Sequence, residues 1–123
     1  MATADTSPSV LRADCGTREV LKLIADRWTA IVIWQLSLGP RRYTQLEREI
    51  GGISQKMLTQ TLRRLERDGL VERRPAAGGE QRFDYALTAL GETLQEPLGA
   101  LCRWAETHLA EVELARTRGD SMP

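Results

Sequence analysis

The chain has 123 residues, of which 41% are hydrophobic and 28% are charged, and its formal net charge at pH 7 is zero. This size and balance fit one globular domain around one core. No apolar run reaches the roughly 18 residues needed to cross a bilayer, and residues 1–10 lack the apolar region of a signal peptide. We therefore expect a cytoplasmic protein without membrane contact, and the neutral charge argues against an indiscriminate, basic binder of nucleic acid.

Charge is unevenly distributed along the chain. Residues 41–74 carry nine Lys and Arg against five Asp and Glu, a net charge of +4, whereas residues 92–120 carry three against six, a net charge of −3. This asymmetry favours a middle segment that faces DNA and a final segment that does not.

Two helices are predicted before residue 40. The first covers residues 17–25, with Val20, Leu21 and Ile24 on one face. The second begins after a capping Asp26 and runs to about Ser37. Its mostly buried residues are expected to be Trp28, Ile31, Val32, Ile33 and Leu36. Gly39-Pro40 ends it, because proline disfavours helical backbone at the preceding residue.

A helix-turn-helix pattern follows a short extended stretch at residues 41–43. Thr44 and Glu47 form a capping box that opens a brief helix to Ile50. Gly51-Gly52 makes a turn, and Ser54 caps a fourth helix that ends near Asp68 with Gly69 as the C-terminal cap. In this helix Leu58, Leu62 and Leu65 point inward, whereas the opposite side carries Gln55, Lys56, Thr59, Gln60 and Arg63.

Two strand-like runs come next, at residues 70–75 and 82–87, joined by a flexible tip at 76–81 that contains Gly78-Gly79. Two short helices, a Gly turn and a hairpin in this order predict a winged helix-turn-helix. The fold class is therefore mainly α with a small β-wing, at residues 70–87, and a long C-terminal dimerisation helix.

The dimerisation helix is expected at residues 88–113, capped by Thr88 and about 39 Å long at 1.5 Å per residue. Pro97 and Gly99 predict a kink near Glu96. An apolar seam spaced as in a coiled coil predicts a homodimer interface, comprising Leu94, Leu98, Leu101, Ala105, His108 and Val112. The domain is expected to cover residues 15–115, between disordered tails at 1–14 and 116–123.

The outward face of the fourth helix has side chains suited to a major groove. Gln bonds an adenine edge, Lys or Arg reaches guanine, and the Thr methyl meets the thymine methyl, which makes Gln55, Lys56, Thr59 and Gln60 the candidate base readers. The candidate phosphate contacts are Ser54, Arg63, Arg42, Arg74 and Arg82. A plain solvated helix face is the alternative, but the order of the surrounding elements favours binding to a double-stranded DNA operator.

Several segments resemble the HxlR-type regulators. They are Cys15, Trp28, 39–43, 52–59, 62–71, 85–91 and Trp104, within a region from about Cys15 to Leu109, and the stretch Gly-Ile-Ser-Gln-Lys at 52–56 is specific. The resemblance implies a dimeric winged-helix regulator, repressor or activator, whose recognition helix begins at Ser54. Trp34 departs from the polar or basic residue common there, and an added dimer contact and a ligand-pocket wall both remain open for it.

Cys15 and Cys102 are expected to be free thiols in a reducing compartment. Cys15 precedes the first helix beside Arg12 and Arg18, and a helix N-terminus and cations both favour the reactive thiolate. The resemblance implies that this cysteine senses oxidants or electrophiles in some members, so a reactive small-molecule inducer is a candidate partner; plain packing is the alternative. Cys102 is expected to pack in a core or interface, and a Cys15–Cys102 bridge between subunits is a further hypothesis.

The residue pattern argues against an enzyme. The sequence has no phosphate-binding Gly loop, zinc-spaced Cys/His cluster or Gly-x-Ser-x-Gly motif, and its one histidine, His108, lies on the apolar seam. We therefore predict no cofactor, no metal and no catalytic residue. Two alternatives to the redox-controlled regulator are a winged-helix module that binds protein and a regulator that responds to a small molecule without redox sensing. An interaction module would place apolar or acidic residues where Gln55 and Lys56 stand.

Overall fold

The structure is a computed structural model that describes residues 16–76 and 82–120. These residues are mainly helical with one antiparallel hairpin, as the sequence predicts. The elements are α1 (Gly16–Ala25), α2 (Arg27–Ser37), α3 (Tyr43–Glu49), α4 (Gln55–Arg67), β1 (Val71–Pro75), β2 (Phe83–Leu87), α5 (Ala89–Glu92) and α6 (Gln95–Asp120). Within the described ranges no helix is both long and apolar enough to cross a membrane.

The core lies between α2, α3, α4 and the hairpin. Val32 and Ile33 at the centre of α2 are fully buried, and Asp26 caps this helix by accepting the backbone N–H groups of Trp28 and Thr29 at 3.0 and 3.1 Å. The prediction of a mostly buried face on α2 is wrong for Ile31, which is exposed, and Trp28 is only half-buried. Most of the α2 face therefore belongs to the core.

The third helix begins earlier than the sequence predicts. The backbone N–H of Arg42 donates to Gln45 Oε1 at 3.0 Å, so the cap lies at Arg42. The predicted capping box of Thr44 and Glu47, two residues later, is wrong. Arg41 pairs with Tyr85 of β2 through backbone hydrogen bonds of 3.0 and 2.8 Å. Only Arg41 and Arg42 of the predicted extended stretch at 41–43 are extended, and the helix starts at Tyr43.

The wing is a two-stranded hairpin in which Val71 lies opposite Leu87 and Pro75 lies opposite Phe83. Gly69 joins it to α4 with φ of +76°, a conformation that glycine adopts without steric cost, and this confirms the predicted C-terminal cap. The predicted flexible tip falls mostly on residues 77–81, which lie outside the described residues.

The C-terminal region contains two helices instead of the single one predicted at 88–113. Thr88 caps α5 by accepting the Gly91 N–H at 3.0 Å. The helix is interrupted at Thr93-Leu94 and does not show the kink predicted near Glu96. A proline ring clashes with the carbonyl four residues earlier in a continuous helix, here that of Thr93. In the first turn of α6, where it now lies, Pro97 needs no N–H partner.

The end of α6 also differs from the prediction. The helix continues to Asp120, so residues 116–120, which were expected in a disordered tail, are helical. The predicted N-terminal tail at 1–14 lies outside the described residues. In α6 Leu98 and Gly99 are buried, and Gly99 lies against the Trp34 ring of α2. Trp34 therefore serves as an α2–α6 packing residue.

Candidate DNA-binding surface and exposed apolar faces

Helix α4 is held by its apolar face. Leu58, Leu62 and Leu65 are at most 1% exposed, as the sequence predicts. Ser54 Oγ accepts the backbone N–H of Met57 at 3.1 Å, which confirms it as the N-terminal cap. With one face buried and its first turn capped, α4 presents a fixed outer face.

The outer face of α4 has the composition that the sequence predicts. Gln55, Lys56, Gln60 and Arg63 are exposed, and Thr59 is half-buried. These five side chains line one shallow concavity together with three aromatic residues from α3 and β2, Tyr43, Phe83 and Tyr85. The predicted base readers therefore lie together, on a surface that also has aromatic walls.

Tyr43 is a member of this surface that the sequence analysis missed. Its hydroxyl donates to the backbone carbonyl of Gln55 at 3.0 Å and lies 2.9 Å from Thr59 Oγ1. It thus ties the first helix of the motif to the first two turns of the second. In the sequence, Tyr43 lies in the segment 39–43 that resembles the HxlR-type regulators, but this likeness does not identify its partners.

An ion pair joins the wing to α4. Arg73 of β1 makes two contacts with the Glu66 carboxylate, from Nε at 3.0 Å and from Nη2 at 3.4 Å. The same guanidinium lies 4.8 Å from the Phe83 ring centre and 5.8 Å from that of Tyr85. Two-point contact with a planar guanidinium restricts its orientation. Val71 and Tyr85 of the hairpin also belong to the same buried cluster as the apolar face of α4, so core packing holds the two elements together.

Phe83 and Tyr85 form an edge-to-face pair with ring centres 5.3 Å apart. Phe83 is 37% exposed, whereas Tyr85 is buried. Burial raises the pKa of the Tyr85 phenol above its ordinary value of 10, against an opposing effect of Arg73. The phenol is therefore uncharged at neutral pH, and the exposed ring of Phe83 is the apolar group on this side of the surface.

The five candidate phosphate contacts differ in their surroundings. Arg63 and Arg82 are exposed, and no ion pair is found for either among the described residues. Arg42 Nε lies 3.8 Å from Asp84. Arg74 is more strongly held, by Glu72 at 2.6 Å and by the Leu87 carbonyl at 3.0 Å. Ser54 is exposed and uses its oxygen in the helix cap.

The predicted dimer seam divides into two parts. Leu98 is buried and Leu94 is half-buried against this chain's own core. Leu101 and Ala105 are exposed, and His108 and Val112 are intermediate. Further large apolar residues on the described part of α6 are exposed by 52–56%, namely Trp104, Leu109 and Leu114. Helix α1 contains no buried residue, and its Val20 and Leu21 are 54% and 48% exposed.

His108 is part of a stacked pair on α6. Its ring lies 4.8 Å from the Trp104 ring centre at an angle of 21°, and its Nδ1 lies 2.9 Å from the Trp104 carbonyl oxygen. Cys102 is a half-buried free thiol on the same helix, whereas Cys15 lies outside the described residues. Among the residues described, no group of three or more His, Cys, Asp or Glu residues is arranged to hold a metal ion.

A capped polar helix following a short helix and a tight turn, with a hairpin fixed beside it, defines a winged helix-turn-helix DNA-binding protein. The family model for the HxlR-like helix-turn-helix matches residues 23–113. The chain belongs to this family, whose members are transcriptional regulators, not enzymes.

Individual relatives agree with this assignment. The helix-turn-helix-type transcriptional regulator YtfH of Escherichia coli is 41% identical over 102 residues, which cover 83% of this chain and 81% of the relative. The structure of the putative transcriptional regulator ytfH from Salmonella typhimurium matches with a TM-score of 0.78 and 35% identity, over 90% of this chain and 99% of the other. The redox regulator HypR in its reduced form matches with a TM-score of 0.71 and 30% identity, over 79% and 96%.

Proposed function

We propose that this transcriptional regulator binds a specific DNA sequence as a homodimer, with α4 in the major groove. The observation that carries the proposal is the outer face of α4, where four exposed or half-buried polar side chains from the first two turns stand together beside the wing. The first residues of a recognition helix reach the base edges in this class of motif. Gln55, Lys56, Thr59 and Gln60 are thus the proposed base readers.

Phosphate contacts are proposed for Arg63, Arg82, Arg42, Arg74 and Ser54. Their surroundings suggest an order of importance. Arg63 and Arg82 project into solvent, whereas binding through Arg74 requires the loss of its contacts with Glu72 and the Leu87 carbonyl. We therefore expect Arg63 and Arg82 to contribute more than Arg74 and Arg42.

A two-fold dimer through α1 and α6 would present two recognition helices. For one turn of DNA their separation is roughly 34–36 Å, and the operator is then palindromic. The support for this arrangement is the exposed apolar surface on both helices, including Leu101, Trp104 and Val20. It also accounts for the charge asymmetry, since the acidic α6 then lies away from DNA.

The proposal is tested by selecting DNA from a random library with the wild-type chain and measuring binding of variants to the selected site. Gln55→Ala is expected to lose about 1–3 kcal/mol and to relax base preference at one position in each half-site. Arg63→Ala is expected to weaken binding to all sequences and to reduce its dependence on salt.

Arg118→Ala is the matched control, because it removes the same charge from the last turn of α6. Its affinity should equal that of the wild type. If Gln55→Ala and Arg63→Ala also bind like the wild type, α4 is not the recognition helix. If the wild type selects no sequence, a protein-binding module is the better description.

Control by oxidation or electrophile attack at Cys15 is a further part of the proposal. It rests on the position of this cysteine before α1 in the sequence and on the structural match to the redox regulator HypR. Diamide is expected to weaken DNA binding by the wild type but not by Cys15→Ser. A non-reducing gel separates a Cys15–Cys102 bridge, lost in Cys102→Ser, from a Cys15–Cys15 link, which survives there. Indifference of wild-type binding to diamide would refute the sensing role.

A further inference from the structure

The hydroxyl of Thr59, a proposed base reader, is already engaged within the protein. Tyr43 Oη donates its proton to the Gln55 carbonyl at 3.0 Å, so the 2.9 Å contact between Tyr43 Oη and Thr59 Oγ1 must use the threonine proton. The chain of donation therefore runs from Thr59 to Tyr43 to the Gln55 carbonyl. In this state Thr59 has no proton with which to bond a base acceptor.

The same contacts select one rotamer of Thr59. Threonine in a helix divides between two χ1 rotamers because its hydroxyl can bond the carbonyl three or four residues earlier. For Thr59 the carbonyl four residues earlier is that of Gln55, which Tyr43 occupies. Tyr43 thus competes for the acceptor of the alternative bond and offers the threonine hydroxyl a different partner.

The methyl group of Thr59 is then the group left for DNA. Because Cβ is tetrahedral, Cγ2 takes a different direction from Oγ1, whose own direction is set by the contact with Tyr43. Thr59 lines the concavity on α4 together with the rings of Phe83 and Tyr85, so its surroundings there are partly apolar. The thymine C5-methyl is the apolar group that the major groove offers.

We propose that Tyr43 is a specificity-determining positioning residue, which holds Thr59 so that its methyl group reads the thymine C5-methyl. This inference rests on the proposed binding of α4 in the major groove. It adds a residue outside the recognition helix, a physical reason why the methyl group of Thr59 and not its hydroxyl reads the base, and a reason why serine cannot replace Thr59.

The test uses the site selected by the wild-type chain, remade with deoxyuridine in place of each thymidine in turn. This replacement removes one methyl group and leaves base pairing unchanged. At one thymine in each half-site we expect binding by the wild type to weaken about three- to fourfold, the effect of burying one methyl-sized group. At the other thymines, the replacement should have little effect on binding through Thr59.

Two Thr59 variants separate the methyl from the hydroxyl. Thr59→Val retains a methyl group and should keep the thymine preference at that position. Thr59→Ser retains the hydroxyl but has no methyl group, and it should lose the thymine preference. The reverse pattern, loss in Thr59→Val and retention in Thr59→Ser, would show that the hydroxyl reads the base and would overturn the inference.

Tyr43→Phe tests the positioning role. It frees the Thr59 hydroxyl, and we expect the thymine preference to fall at this position while that at other positions is unchanged. Adding Thr59→Val to Tyr43→Phe should restore the preference, because valine has no hydroxyl to redirect. Equal loss at all positions, without rescue, would show that Tyr43 only supports the fold.

The outcomes also separate this inference from the proposed function. Selection of a specific site in which no thymine depends on its methyl group would overturn the role of Thr59 and leave recognition by α4 intact. Failure of the wild type to select any site would overturn both.

Discussion

Helices α4 and α6 both contain large apolar side chains, but only on α4 are they mostly covered by the same chain. Leu58, Leu62 and Leu65 of α4 are at most 1% exposed. On α6 burial is confined to Leu98 and Gly99, and Leu101 is 62% exposed. The apolar side chains from α2 to the wing are therefore mostly buried within one core. Most of the large apolar side chains of α6 stay exposed to solvent in the described part of the chain.

Helix α1 belongs with α6 in this comparison. Its apolar face contains Val20 and Leu21, both about half exposed, and none of its residues is buried. Burying a Val or Leu side chain fully is worth about 1.5–3 kcal/mol, so several such residues on two helices represent a large unused stabilisation. Exposed apolar surface of this extent marks an interaction site. The difference agrees with the proposal that one region binds DNA and the other forms the dimer.

The largest expected effect comes from a charge on the exposed part of α6. Leu101→Glu should produce a folded monomer, because Leu101 is 62% exposed and makes little contribution to the core. Losing the second half-site contact should lower affinity for a palindromic site by about a hundredfold or more. Light scattering gives the mass, and a mobility-shift titration gives the affinity.

Two variants are controls for this prediction. Leu114→Glu places the same charge at a residue 52% exposed but about 140° around the helix axis, and should leave both mass and affinity unchanged. Leu98→Glu should unfold the chain, since Leu98 is only 4% exposed in the monomer. A wild-type monomer at micromolar concentration would contradict the assembly role of α6.

The same division explains which parts of the fold could be predicted from the sequence. Ser54 and Gly69 are short-range signals, because a cap bonds within three residues and a positive φ is a property of one residue. The cap of α3 was misplaced because the pairing of Arg41 with Tyr85 connects residues 44 positions apart. The interruption before α6 was misplaced because the Pro97 ring clashes with the carbonyl four residues earlier, that of Thr93, and not with that of the adjacent Glu96.

The site was predictable in composition but not in its contacts. Helical periodicity placed Gln55, Lys56 and Arg63 on one face, and all three are exposed. Periodicity does not show that Tyr43 bonds Thr59 or that Arg73 bonds Glu66, since each pair joins different elements. Nor does it separate Leu98 from Leu101, which share a seam in sequence but differ in burial.

A second test of the comparison uses glycines that lie in the two regions. Gly91 in α5 is packed against the wing, and an added Cβ would lie 2.1 Å from the Leu70 carbonyl oxygen. That oxygen also accepts the Thr88 N–H at 3.1 Å, so it cannot move freely. Gly91→Ala should therefore lower the free energy of unfolding by about 1–3 kcal/mol or more, as overpacking does.

Urea denaturation measures the change, and Gly51→Ala is its control, because an added Cβ at Gly51 meets nothing within 4 Å. A Gly91→Ala chain as stable as Gly51→Ala would show that the α5–wing junction is loose, and would weaken the contrast between the two regions.

The smallest effect is expected at Gly99, where α6 meets α2. An added Cβ would lie 3.3 Å from Trp34 Cζ3 and 3.2 Å from Arg103 Nη1. Both neighbours can yield, because Trp34 is 40% exposed and the Arg103 contact is the end of a flexible side chain. Alanine also improves helix propensity by about 1 kcal/mol over glycine.

We therefore expect Gly99→Ala to stabilise the chain by less than about 1 kcal/mol. The gain in helix propensity should exceed the energy needed to move the exposed Trp34 ring by a few tenths of an ångström. The measurement belongs in the Leu101→Glu background, where a monomer is expected and the partner subunit does not hold α6. A loss well above 1 kcal/mol in that monomer would show that Trp34 is as rigid as the core around α4. The same loss only in the assembled protein would show instead that the second subunit restricts Trp34. The α2–α6 contact would then belong to the assembling region, and the boundary between the two regions would lie at Trp34 and not at Leu101.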